Sequence, residues 1–220
     1  DSKADVGLVV DPDVDRLDII MENGEMFVEE YTLVSVADYV LGHTPGNTVS
    51  NLSSSRALRD VTNRHADCSS SAAAVGEGNV VAEMKRVNAV IGGEGNGGVI
   101  YPELHYGRDA LVGAALFLTL LAKSGKKVSE LKQTYPQYVI TKDKVQLTPG
   151  MDVDVLLQSV KEAFAGERVT DVDGVKIDFP DGWVHLRRSN TEPIIRIYSE
   201  AETADRANEL AKRVKALLPH

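Results

Sequence analysis

The sequence predicts an α/β protein in three parts: a remnant strand of a preceding domain at residues 1–17, an α/β layer domain at 18–140, and a C-terminal α+β domain at 141–220 built as helix, short antiparallel strands and helix. Three observations predict it. Val6-Gly7-Leu8-Val9-Val10 is a short apolar run that stops at Asp11-Pro12, the pattern of a strand buried on both faces. The stretch from Glu30 to Lys123 alternates helical and strand-like patterning, which describes helices layered on a sheet. The last third changes rhythm, with two amphipathic segments bracketing three short strand patterns.

Each element has its own justification. A strand buried on both faces needs a neighbour on each side, so a chain that opens on Val6 and has Asp at residue 1 reads as a fragment of a longer protein. Glu30 to Leu41 carries Leu33, Val36, Ala37, Val40 and Leu41 at helical spacing, with Gly42 placed to end the helix. Thr48 to Leu52 reads as a strand, and the serines at 53–55 offer an N-cap for a helix through about Arg64. A short helix around Val80 to Lys85 leads into the strand Ala89-Val90-Ile91, then a glycine-rich loop, then a long helix from Asp109 to Lys123. Pro136 and the polar stretch Thr141 to Lys144 mark the domain junction. Beyond it, Val153, Leu156, Leu157, Val160 and Phe164 share a helical face, and strands follow at Val175 to Phe179, Trp183 to Arg188 and Ile194 to Tyr198, with Asp181-Gly182 as a hairpin signal. Thr203 caps a final helix striped by Ala207, Leu210, Ala211, Val214, Leu217 and Leu218.

Composition narrows the function. With 220 residues, 43% apolar and 26% charged, the chain is globular rather than disordered or fibrous. Its 24 basic and 33 acidic residues give a net charge of −9, and no long basic tract offers a nucleic-acid surface. A phosphorylated ligand would therefore need a local basic pocket or a cation to offset the overall field. The single cysteine, Cys68, excludes an intramolecular disulfide and fits a reducing compartment. The longest apolar stretch, Ala110 to Ala122, is interrupted and too short to span a bilayer, and no signal peptide is visible, so the expected location is cytoplasmic.

Three loops carry candidate chemistry. In Asp11-Pro12-Asp13-Val14-Asp15-Arg16, alternate residues of an extended segment would point the same way, so Asp11, Asp13 and Asp15 would converge on a hard divalent cation; a solvated acidic turn is the alternative. Asp-x-Asp-x-Asp with Glu22 twelfth in line also resembles a calcium EF-hand loop, but Arg16 stands where that loop needs glycine and a strand replaces its entering helix. In Gly92-Gly93-Glu94-Gly95-Asn96-Gly97-Gly98, the spacing of Gly93, Gly95 and Gly98 matches a dinucleotide fingerprint, yet Val99-Ile100-Tyr101-Pro102 is a poor first helical turn. The glycines instead allow a ligand close to the backbone, with Glu94 and Asn96 as its polar contacts, or else form a tight turn without a ligand. In Arg187-Arg188-Ser189-Asn190-Thr191-Glu192-Pro193-Ile194-Ile195-Arg196, hydroxyls, an amide and turn N–H groups lie between two arginines suited to a phosphate; the alternative is an exposed hairpin.

Together and in this order, these three loops resemble the α-D-phosphohexomutases: phosphoglucomutases, phosphomannomutases and phosphoglucosamine mutases. The likeness covers the whole chain, including Asn51 to Asp60 and Gly107-Arg108-Asp109-Ala110-Leu111. It implies a four-domain enzyme of which this chain is the C-terminal half: the end of the second domain with its metal loop (1–17), the third domain with a sugar loop (18–140) and the fourth with a phosphate loop (141–220). The family's phosphorylated serine belongs to the first domain, and no serine here has the His-Asn-Pro context of that loop. The resemblance implies phosphate exchange between the 6- and 1-positions of a hexose or hexosamine through a phosphoserine and a bisphosphorylated sugar. Mg²⁺ would sit on Asp11, Asp13 and Asp15, Arg16 beside the transferring group, Glu94 and Asn96 on sugar hydroxyls, and Arg187, Ser189, Asn190, Thr191 and Arg196 on the non-reacting phosphate.

Many members carry Ser and His where this chain has Asn96 and Gly98, and a Lys where it has Ala74, so the roles of that His and Lys are unassigned, as is His105. The Gly-Glu-Gly-Asn-Gly-Gly form is most similar to phosphoglucosamine mutases and phosphomannomutases, which implies a phosphoglucosamine mutase whose fragment is inactive without the missing N-terminal domains. A phosphomannomutase or phosphoglucomutase of the same family, or a non-catalytic sugar-phosphate or calcium-binding module, are the alternatives. No nucleic-acid or membrane partner is expected.

Overall fold

The structure, a computed structural model, describes residues 3–148, 150–189 and 191–218. It divides into two compact units, Asp1–Gln137 and Tyr138–His220, so residues 1–17 group with the first unit.

The first unit opens with a hairpin in which β1 (Val6–Val10) pairs antiparallel with β2 (Leu17–Met21), Val10 opposite Leu17. Period-2 patterning buries Leu17, Ile19 and Met21 of β2. β1 differs from expectation: it has one strand neighbour among the described residues, and Leu8, Val9 and Val10 are 39%, 51% and 43% exposed rather than covered on both faces.

A four-stranded sheet follows in the order β4-β3-β5-β6, where β3 (Asn47–Asn51) runs parallel to β4 (Ser70–Ala73) and β5 (Ala89–Glu94), and β6 (Gly98–Ile100) returns antiparallel to β5. Five helices accompany it: α1 (Glu29–Leu41), α2 (Ala57–Thr62), α3 (Glu77–Val87), α4 (Ala110–Ser124) and α5 (Val128–Lys132). The open sides of Gly92 and Gly93 look toward Met84 of α3 and Leu33 of α1, which places those helices on opposite faces of the sheet. α1 is buried over most of its length, and Phe27 just before it meets Phe117 of α4 edge to face at 5.3 Å. Asp109 caps α4 as its spacing predicts, accepting from the N–H groups of Leu111 and Val112.

Several boundaries depart from expectation. α2 begins only at Ala57, with Ser55 Oγ accepting its N–H at 3.1 Å, because Ser53 and Ser54 are engaged elsewhere. α3 is longer than Val80 to Lys85 and stops at Asn88 in the left-handed region. The strand at Ala89 continues through Gly92 and Gly93 to Glu94, so half of the expected glycine loop is sheet. The segment after it forms β6 rather than a helix, in keeping with the rejection of a dinucleotide fingerprint.

The second unit is a five-stranded antiparallel sheet in the order β7-β11-β10-β9-β8, with α6 (Val153–Ala163) and α7 (Ala204–Lys215) sharing its apolar core. The expected strands are β9 (Val175–Phe179), β10 (Gly182–Arg188) and β11 (Ile194–Ala201). Two edge strands were not expected: β7 (Val139–Gln146) and β8 (Arg168–Thr170). Thr141 to Lys144, read as a junction, lies inside β7. An edge strand facing solvent needs few apolar residues, and its lysines are the usual protection of such an edge. Thr203 caps α7 by accepting the Arg206 N–H at 3.2 Å.

His185 of β10 is 1% exposed, its Nε2 placed 2.6 Å from the Asp173 carbonyl oxygen. Burial, aided by the charges of Lys176 and Arg187 and opposed by Asp173, pulls its pKa down from 6.5 to about 4. Between those values the unfolded chain binds a proton that folded His185 refuses, so stability falls as pH drops through this window. The expected contribution is up to about 3 kcal/mol. Urea melts of the chain and of His185→Gln between about pH 7 and about pH 4.5 test it, the variant losing that part of the slope.

Candidate functional site

The acidic loop joins β1 to β2 as a turn, not as an extended segment. Val14 N–H donates to the Asp11 carbonyl at 3.0 Å, and Val14 takes φ 57°, a rare conformation for a β-branched residue. The strained peptide is held by the Ala110 N–H at the start of α4, which donates to the Val14 carbonyl at 3.0 Å. Alternation of side chains therefore fails here, and the expectation that it gathers three carboxylates is corrected: the turn brings Asp11 and Asp15 together while Asp13 is exposed. Among the described residues, no three His, Cys, Asp or Glu side chains form a metal-holding group.

Asp11 Oδ1 accepts the N–H groups of Asp15 and Arg16 at 3.1 and 3.2 Å, and the Arg16 Nε lies 3.6 Å from both Asp11 Oδ2 and Asp15 Oδ1. Desolvation opposes the ionised form of Asp11, yet these donors and Arg16 hold its carboxyl below the usual range. Burial, then the neighbouring Asp11 carboxyl, pushes Asp15 above that range despite the arginines. Asp15 Oδ1 is buried without a hydrogen-bond partner. Carboxylate oxygens with one such orphaned atom suit a hard divalent cation in donor chemistry.

The glycine-rich loop starts at the end of β5. Glu94, 5% exposed, accepts Asn51 Nδ2 at 2.8 Å and the Gly76 N–H at 3.2 Å through Oε1, and Arg108 Nη1 at 2.8 Å through Oε2. Asn51 Oδ1 in turn accepts from the Ser53 N–H and the Ser54 hydroxyl, and Ser54 Oγ accepts the Gly95 N–H at 2.9 Å. Asn96 is half-buried and accepts the Gly98 N–H at 3.2 Å. An ionised carboxylate has about four acceptor sites, so these three donors leave Glu94 room for one more on Oε2.

Arg108 joins the two loops. Its guanidinium, 13% exposed, donates to Asp15 Oδ2 as well as to Glu94, and its Nε lies 3.2 Å from Glu77 Oε2. Arg108 has a signal in sequence as a cation one residue before the cap of α4: the helix dipole disfavours positive charge there, so such a residue needs carboxylates around it. Glu77 and Ser54 had no comparable signal.

In the second unit the Arg187–Arg196 segment forms the β10–β11 hairpin. Ser189, 6% exposed, accepts at its hydroxyl from the N–H groups of Thr191 and Glu192 and from Arg196 Nη2. Arg196 also pairs with Glu192 at 2.9 Å, and Arg187 with Asp173 at 3.6 Å. Asn190 lies outside the described residues. Arg187 stands opposite Arg196 in the register, and Arg196 opposite Lys144 of β7, so three cations form one row across three strands. Like charges placed opposite each other repel, and an anion over the row relieves the repulsion. A cleft of about 380 Å³ beside it is lined by Lys142, Lys144, Arg196 and Tyr198 among others. Lys142 and Lys144 give no signal in sequence, since the polar stretch that holds them has the pattern of a linker.

Residues 29–138 match the family model for Phosphoglucomutase/phosphomannomutase, alpha/beta/alpha domain III, and residues 142–217 match that for its C-terminal domain. A phosphoglucomutase/phosphomannomutase of Thermococcus kodakarensis is 38% identical over 94% of this chain and 45% of its own length. A probable phosphoglucosamine mutase of Methanopyrus kandleri is 33% identical over 94% of this chain and 46% of its own. The chain thus spans about half the length of the curated relatives it matches. Among solved structures, a phosphoglucomutase/phosphomannomutase family protein of Burkholderia thailandensis superposes with a TM-score of 0.82 at 26% identity, over 99% of this chain and 48% of its own. An N-acetylphosphoglucosamine mutase of Aspergillus fumigatus, solved with GlcNAc-6P and magnesium, shares the fold with a TM-score of 0.66 at 16% identity, over 99% of this chain and 49% of its own. By these matches, the chain belongs to the phosphoglucomutase/phosphomannomutase family and carries its third and C-terminal domains.

Proposed function

We propose that this chain supplies the cation loop, sugar loop and phosphate clamp of a phosphoglucosamine mutase. It would interconvert glucosamine 6-phosphate and glucosamine 1-phosphate through a bisphosphorylated sugar and a phosphoserine provided outside this chain, with residues 1–17 completing a preceding domain. The observation that carries the reading is the row of Arg187, Arg196 and Lys144, a local positive site in a chain of net charge −9. The amino-sugar choice is supported by the name of the Methanopyrus kandleri relative. The Thermococcus kodakarensis relative favours a second reading, a phosphomannomutase or phosphoglucomutase of the same family.

Roles follow from chemistry. Arg187, Arg196 and Lys144, with the Ser189 and Thr191 hydroxyls and Asn190, would hold the phosphate that does not react. Glu94 would take a sugar hydroxyl on its remaining acceptor site, with Asn96 beside it. Arg16, half-exposed beside both acidic side chains, would face the transferring phosphoryl group and stabilise its charge. Asp11, Asp13 and Asp15 would hold Mg²⁺, Asp13 moving in from its exposed position; a bound Mg²⁺ supplies charge neutralisation at phosphoryl oxygens.

Arg187→Ala and Arg196→Ala should each weaken glucosamine 6-phosphate binding ten- to a hundredfold, about 1.5 to 3 kcal/mol, while leaving Mg²⁺ affinity unchanged. Calorimetric titration checks this, and unchanged sugar-phosphate affinity in both variants would falsify the clamp. Turnover of glucosamine, glucose and mannose 6-phosphates by this chain combined with a phosphoserine-bearing N-terminal half ranks the two substrate readings.

The acidic loop gives a separate expectation. Its compact oxygen set should bind Mg²⁺ weakly in the isolated chain and prefer it over Ca²⁺, with Asp13→Asn weakening it further. Tight, Ca²⁺-selective binding would instead revive a calcium module.

A further inference from the structure

Arg108 bonds both the acidic loop and the glycine-rich loop within the first unit. Its Nη1 donates to Glu94 Oε2 at 2.8 Å, its Nη2 to Asp15 Oδ2, and its own backbone N–H to Glu77 Oε1 at 3.2 Å. The contact with Asp15 is one-sided: Oδ2 is taken by the guanidinium, while Oδ1 is buried, makes no hydrogen bond and has only the longer ion-pair contact of 3.6 Å with Arg16 Nε beside it. The contact with Glu94 is also one-sided, leaving an acceptor site on Oε2. A single planar fork thus fixes two carboxylates and leaves each with an oxygen that has hydrogen-bonding capacity to spare.

The glycine loop is shaped around this side chain. A Cβ on Gly98 would lie 2.4 Å from Arg108 Cδ and 3.1 Å from its Cγ, so the aliphatic stem crosses the loop where only glycine leaves space. Arg108 therefore reaches Asp15 by lying across the loop that carries Glu94 and Asn96.

Resting on the functional reading above, we propose that Arg108 is a positioning residue that couples the cation site to the sugar site. Its fork orients Asp15 Oδ1 for the cation and Glu94 Oε2 for a sugar hydroxyl, so ordering either carboxylate by its ligand orders the other through one rigid group. Outer partners of ligating carboxylates commonly act this way on affinity. Binding at one site then strengthens binding at the other, and the factor is the same in both directions.

The test is a pair of titrations on the whole chain. Mn²⁺, followed by electron paramagnetic resonance, is titrated with and without glucosamine 6-phosphate, and the sugar phosphate with and without Mn²⁺. The wild-type chain should show a common factor of about fivefold or more. Arg108→Lys keeps the charge but cannot hold two carboxylates with one ammonium, so the factor should fall to one while each ligand alone still binds. Gly98→Ala, which displaces the stem and keeps the guanidinium, should lower it as well. Arg108→Gln should in addition weaken the cation alone by about ten- to a hundredfold. A purely structural arginine would lower stability without changing the factor, so thermal melts accompany each titration. A wild-type factor retained in folded Arg108→Lys and Gly98→Ala overturns the proposal. Binding of both ligands to the wild-type chain with a factor of one also overturns it and leaves the functional reading standing. Failure of the wild-type chain to bind either ligand overturns the functional reading and the coupling with it.

Discussion

The first unit is organised around one guanidinium shared by three carboxylates. Arg108 meets Asp15, Glu77 and Glu94, which come from the hairpin turn, the start of α3 and the end of β5, so one side chain ties three separate parts of the chain. Glu94 is almost fully enclosed, and a charge in that position persists only with a charged partner and several hydrogen bonds. Breaking such a pair from one side typically costs about 3–5 kcal/mol, because the surviving charge is left uncompensated. The cost of holding a cation at the head of α4 is met by the same carboxylates, while the cap itself is left to Asp109. Strain at Val14 belongs to the same arrangement, since the peptide that takes the left-handed conformation is the one whose carbonyl receives the Ala110 N–H two residues beyond Arg108.

The second unit handles charge in the opposite way. Its cations are repeated rather than shared: Arg187, Arg196 and Lys144 face each other across three strands, with Asp173 paired to Arg187 and Glu192 to Arg196. Such a row is tolerable because two of its three members reach solvent at or near a sheet edge, where water screens like charges. The hydroxyl of Ser189 gathers two N–H groups and an arginine around one oxygen, a set of donors that a bound anion would find already oriented. A closed charge network therefore organises the first unit, and an open one the second.

The physical reasons that made some features legible in sequence explain why others were not. α1 announces itself by apolar periodicity, and α4, α6 and α7 by periodicity together with Asp109, Asp152 and Thr203, which accept free N–H groups at their starts. β7 and β8 were silent because edge strands bury little, and Thr141 to Lys144 looks like a linker for the same reason that it can stand at an edge. The acidic loop was visible as a composition of carboxylates, but its turn was not. A valine in the left-handed region is imposed by the Ala110 contact across nearly a hundred residues, and no local pattern encodes it. Glu94 and Asn96 could be singled out as the only side chains among glycines. The partners that hold Glu94, namely Asn51, Gly76 and Arg108, come from three distant segments and emerge only on folding.

The pairing of Glu94 bears on what that carboxylate can distinguish. A free carboxylate in a poorly hydrated site would favour an ammonium group over a hydroxyl, because the Coulomb attraction is large where water is excluded. Here the guanidinium of Arg108 already offsets that charge at 2.8 Å, and Asn51 and Gly76 spread the rest over two further donors. What remains on Oε2 is an acceptor whose direction is fixed and whose net field is weak. Such an acceptor reads the position of a donor rather than its charge, and a hydroxyl satisfies it as well as an amine. That property accords with a family whose members include phosphoglucomutases, phosphomannomutases and phosphoglucosamine mutases. Any discrimination by charge would therefore need groups other than Glu94, whose Oε2 is held in one direction against the acidic loop by Arg108.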